Sequence, residues 1–72
     1  MTVTIQIAQV AKDEILDKFS DGACLIVAKT AKMLNLSQGL QIQVDGRLAL
    51  VTEVEYGLKD RMAVYVQYEG VN

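Results

Sequence analysis

Histidine and proline are both absent from these 72 residues, and cysteine occurs once, at Cys24. Without histidine, a structural zinc site loses its usual ligand and Cys24 has no partner base to draw off its proton. One cysteine cannot close an internal disulfide. Beside the apolar Leu25 and Ile26 it reads as a buried structural residue in a reducing, intracellular, cytoplasmic setting. No apolar run approaches the roughly 18 residues of a membrane span, and the first residues lack the basic stretch of a secretion signal. A basic excess is missing as well: seven lysines and arginines stand against nine acids, for a net charge of −2. Non-specific nucleic-acid binding normally needs the opposite balance.

The length allows one small domain, residues 1–72, with no second core. A chain of this size buries only about 60% of its unfolded surface, so it needs an unusually regular core or a partner subunit. The apolar share of 51% and the lack of proline favour both.

"TVTIQIAQV" alternates Val3, Ile5 and Ile7 against Thr2, Thr4 and Gln6, which predicts a strand. "AKDEILDKFSDG" changes period. Ala11, Ile15 and Phe19, with Leu16 beside them, repeat as a helical stripe opposite Asp13, Glu14, Asp17 and Lys18, and Ser20-Asp21-Gly22 reads as a stop. "ACLIVAKTAKMLNL" fits one helix, or a buried strand over Ala23–Val27 followed by a short helix over Ala28–Leu34; the β-branched Ile26 and Val27 lean toward the strand. Beyond Gly39 the pattern is β. Leu40, Ile42 and Val44 alternate with Gln41 and Gln43, and Asp45-Gly46 is the pair that a type I′ hairpin turn requires. The return strand reads with Leu48, Leu50 and Val54 inward. After the looser "EYGLKDR", a last strand alternates Met62, Val64, Val66 and Tyr68 against Ala63, Tyr65 and Gln67.

The expected fold is therefore α+β: an N-terminal strand, one or two short helices, then a three-stranded antiparallel meander forming a small sheet or barrel. On this reading Ala49 and Val51 join Ala63 and Tyr65 on a second apolar sheet face, with Glu53 and Tyr56 nearby. That face is covered either by the chain's own helix or by a partner. Asp13 and Asp17, one helical turn apart, could meet one cation, but a solvated helix face explains them as well and no calcium-loop spacing is present. Glu53 and Glu55 could be imagined as a general acid and base, yet nothing supplies the apolar pocket such a pair needs. No catalytic residue, cofactor or metal is expected.

"KTAKMLNLSQ" has the look of a first helix and turn of a helix-turn-helix, but a strand follows where the recognition helix would stand. The wider segment "GACLIVAKTAKMLNLSQGLQIQVDGRLALV" resembles the AbrB/MazE-type swapped-hairpin domain. Leu34, Leu36, Gly39, Ile42, Val44, Gly46, Leu48 and Leu50 fall where that pattern expects them, while Val27, Asn35 and Leu40 depart from it. The resemblance implies an intertwined, antitoxin-like dimer that regulates transcription by binding DNA, with Lys29, Lys32 and Arg47 as candidate contacts.

Two functions thus stand as expectations. The first is a non-enzymatic protein-binding module, self-associating, of the kind that phages and mobile elements encode as small inhibitors, accessory factors or assembly subunits. Its interface would comprise Ala49, Val51, Glu53, Tyr56, Ala63 and Tyr65. The alternative is the DNA-binding dimer.

Overall fold

A computed structural model describes residues 7–57 and 59–70. Strand accounts for 54% of it and helix for 16%, so the expected α+β class gives way to a single curled six-stranded sheet. Among the described residues the strands are β1 (Ala8–Val10), β2 (Ile15–Phe19), β3 (Cys24–Ala28), β4 (Gln41–Val44), β5 (Arg47–Glu55) and β6 (Arg61–Tyr68), and the one α-helix, α1, is only Ala31–Leu34. The N-terminal strand expected over Thr2–Val10 lies mostly outside the described residues, with β1 at its end.

The spatial order is β1-β4-β5-β6-β3-β2. β1 pairs with β4 in parallel, and all the other pairs are antiparallel. Strands β4, β5 and β6 run consecutively, but as the middle of a larger sheet. Strands β1 and β2 occupy opposite edges, yet Ala11–Glu14 alone connects them. A flat six-stranded sheet would hold its edges about 24 Å apart. Five residue steps reach at most about 18 Å even when extended, and Lys12–Glu14 is wound into a 3₁₀ turn. The short connection therefore obliges the sheet to curl into a half-barrel.

The concave side holds the core. Val10, Leu25, Val27, Ile42, Val44, Ala49, Val51, Met62, Val64 and Val66 all point there, with Met33 and Leu36 closing one end. Helix α1 owes its place to that closure: Thr30 Oγ1 accepts the Met33 N–H at 3.2 Å as an N-cap, and Met33 is buried.

The segment expected as an amphipathic helix, Ala11–Gly22, is instead a 3₁₀ turn, strand β2 and a second 3₁₀ turn. The reason lies in β3. Cys24, Leu25, Ile26 and Val27 are buried in succession, as in a central strand flanked on both sides. Strand β6 pairs along one side, and β2 supplies the other. Ladder hydrogen bonds and side-chain packing of this kind outweigh a weak helical preference. As an edge, β2 is blunted: its ladder is broken by a bulge at Leu16, and the Asp17 carboxylate accepts the Lys18 N–H at 2.8 Å.

The ambiguous segment resolves into β3 followed by the short α1. The chain turns from β2 into β3 through Ser20, Asp21 and Gly22, all at positive φ. Gly22 is the buried member, and a side chain there would meet the Tyr68 hydroxyl at 3.3 Å. That hydroxyl donates to the Gly22 carbonyl at 2.9 Å, and the Arg47 guanidinium lies 4.3 Å from the Tyr68 ring centre. Burial pushes the phenol above its ordinary value, with the Arg47 charge pulling the other way, so Tyr68 remains a neutral donor. Replacing Tyr68 by Phe leaves the turn without this tie and is expected to lower stability by about 1 kcal/mol. Gly22→Ala, strained at its φ of +90°, should cost about 2 kcal/mol. Urea melts of both variants measure these losses.

The hairpin reverses the parity expected for β5. Asp45 and Gly46 adopt the positive φ of a two-residue turn, which sets Val44 opposite Arg47 and Ile42 opposite Ala49. Directly opposed residues share a face. Ala49 and Val51 are therefore in the core at 0% exposure, while Leu48 and Leu50 face outward at 37% each. The register then shifts between Val51 and Glu53. This bulge at Thr52 returns Val54 to the inner side and sends Glu53 and Glu55 to the outer one.

Glu14 ties the 3₁₀ turn to α1. Its carboxylate accepts the Ala11 N–H at 3.0 Å and pairs with Lys32 Nζ at 2.9 Å. The Ala11 hydrogen bond, then Lys32, hold its pKa below the ordinary value near 4.5. A folded pKa below the unfolded one stabilises above the unfolded value and is lost as pH falls through the folded one. Acidification below about pH 4.5 should therefore shed this contribution. In Glu14→Gln the pH-dependent part is gone, so the stability gap between wild type and variant should narrow on acidification. Thermal melts from neutral to acid pH report it.

Candidate outer-face site

Strands β2, β3, β6 and β5 present the convex side of the sheet as two cross-strand rows. The first row runs Phe19, Cys24, Tyr65, Glu53; the second runs Asp17, Ile26, Ala63, Glu55. Cys24, Ile26 and Ala63 pack together as a small apolar cluster with Tyr65 against it, separate from the core. Their shortness beside Phe19 and Tyr65 makes a hollow of about 380 Å³, which Ser20, Glu55 and Gly57 complete. Phe19 is 52% exposed on its flank.

The polar groups here are few. Tyr65 Oη donates to Glu55 Oε2 at 3.4 Å. The neighbouring Cys24 thiol, then the Glu55 carboxylate, hold the Tyr65 phenol above its ordinary value near 10, because each competes for negative charge. Tyr65 is thus a neutral donor at any physiological pH. One thiol, one phenol and one carboxylate, in a chain without histidine, make a poor set for nucleophilic or acid–base chemistry. What the groups do form is an apolar floor with aromatic walls and acidic borders.

Of the residues expected at an interface, Ala63, Tyr65 and Glu53 come together here. Ala49 and Val51 do not, since the hairpin register places both in the core. Tyr56 is exposed but belongs elsewhere, its hydroxyl 3.5 Å from the Leu36 carbonyl oxygen. Sequence reasoning missed Asp17, Phe19, Cys24 and Ile26. The uninterrupted run Cys24–Val27 carried the signal, because a central strand must line both faces of its sheet.

No family model matches the chain, and no curated protein or solved structure is significantly similar to it. Function must be read from the residues themselves.

The three candidate DNA contacts are occupied, each at a different place. Lys29 Nζ donates to the Tyr56 carbonyl at 2.9 Å and the Lys59 carbonyl at 3.4 Å, pinning the β5–β6 connection. Lys32 is paired with Glu14, and Arg47 covers Tyr68. Asp13 and Asp17, expected one helical turn apart, instead lie in a 3₁₀ turn and in β2. Among the described residues, no cluster of three or more carboxylates or thiols could hold a metal ion, and no helix is long and apolar enough to cross a membrane.

Proposed function

We propose that this chain is a non-enzymatic protein-binding module that works through the convex face of its sheet and also self-associates. One observation carries the reading. The only α-helix among the described residues puts its buried side chain, Met33, into the inner core, so the chain's own helix does not cover the convex face. That face bears the Phe19–Tyr65 hollow and, further along β5, Leu48 and Leu50 at 37% exposure. The leucines lie opposite Gln43 and Gln41, and Leu50 is also opposite Gln67. The Glu69 carboxylate beside them is held by the Gln41 amide at 2.7 Å, and an apolar patch with a single tethered charge tolerates a two-fold contact with its own copy. A module of 72 residues with marginal burial gains stability from such a contact, as suits a small inhibitor, accessory factor or assembly subunit of phage or mobile-element type.

Light scattering over a concentration series tests the self-association. Wild type is expected to gain mass with concentration, and Leu50→Glu to stay monomeric with an unchanged circular dichroism spectrum. A wild type that remains monomeric throughout would remove self-association from the reading.

A further inference from the structure

The hollow between Phe19 and Tyr65 has carboxylates along both borders. Its apolar floor on β3 and β6 is bordered by acids on both sides: Asp17 on β2, and Glu53 with Glu55 on β5. All three are exposed. A cation on the same face, Arg61 opposite Ala28, lies at the end of the strip, 3.9 Å from Asp60.

We propose that this hollow takes a segment of another protein in which one large apolar side chain is flanked by lysines or arginines. The inference rests on the protein-binding reading above and names the partner's chemistry. A volume of about 380 Å³ accommodates one large side chain with the stems of its neighbours. The flanking cations would meet Asp17 across one border and Glu53 and Glu55 across the other. A second copy fits poorly here, because a two-fold contact would set these acids against themselves. Nucleic acid fits worse, since its phosphates would face the same carboxylates.

The test is an amide-resolved NMR titration of the whole chain with three seven-residue peptides. One has a central phenylalanine between pairs of lysines, one has the same phenylalanine between pairs of glutamates, and one has a central glycine between pairs of lysines. The lysine–phenylalanine peptide is expected to shift the amides of Cys24, Ile26, Ala63 and Tyr65. Its affinity should drop about tenfold in a Glu53→Gln/Glu55→Gln variant and fall with added salt. Both other peptides should bind at least about tenfold more weakly. Equal binding of the glutamate peptide at these amides would overturn the charge selection while leaving a protein-binding face in place. Equal binding of the glycine peptide would overturn the apolar anchor. No shift at these four amides with any peptide would overturn the inference, while the light-scattering result would still decide self-association independently.

Discussion

Val51→Asp is expected to leave the chain unfolded at room temperature, whereas Leu50→Asp, one residue away, leaves it folded. Val51 is fully buried opposite Val66, and Leu50 faces solvent opposite Gln67. A carboxylate forced into the core without a partner costs well over about 4 kcal/mol. That approaches the total stability of a domain this small. On the convex side the same carboxylate stays hydrated, and the loss should remain within about 1 kcal/mol. Circular dichroism and urea melts of the two variants read the parity of β5 directly. If Leu50→Asp unfolded and Val51→Asp did not, the hairpin register described here would be wrong, and with it the outward placement of Leu48 and Leu50.

Leu25→Ala and Phe19→Ala make the second contrast. Leu25 is completely buried in β3, and its truncation should cost about 3 kcal/mol, through lost transfer energy and the cavity left behind. Phe19 is 52% exposed, and its truncation should cost less than about 1 kcal/mol. An amphipathic helix over Ala11–Phe19 predicts otherwise, because Phe19 would then lie on the buried stripe and its loss would approach that of Leu25. Chemical denaturation of both variants decides between strand and helix for this segment. Phe19→Ala also opens one wall of the convex hollow, so it should weaken binding of the lysine–phenylalanine peptide while the chain stays folded.

Two errors in the sequence reading share a cause. Along β5, the even positions Leu48, Leu50 and Val54 look like one continuous apolar face, and Glu53 and Glu55 look like its polar reverse. The pattern is real on either side of Thr52 but not across it, because a bulge inserts one residue and exchanges the faces. The two-residue Asp45-Gly46 turn held the corrective information, since Ile42 must then oppose Ala49. In Ala11–Phe19, the letters of a helical stripe form a strand whose faces the bulge at Leu16 exchanges, with Ile15 opposite the inward Val27 and Phe19 opposite the outward Cys24. Whether helix or strand forms depends on β3, a partner that lies beyond the turn.

What the residues determined alone is local: the Asp45-Gly46 turn, the inward set Met62, Val64, Val66 and Tyr68, and the lack of any histidine. These follow from backbone preference, side-chain alternation and composition, which act over a few neighbours. Only the tertiary structure decided the curl of the sheet, the strand at Ile15–Phe19, the face exchange at Thr52 and hence the convex hollow. Each depends on which strand pairs with which. Pairing is governed by packing between residues distant in sequence, and no local pattern reports it.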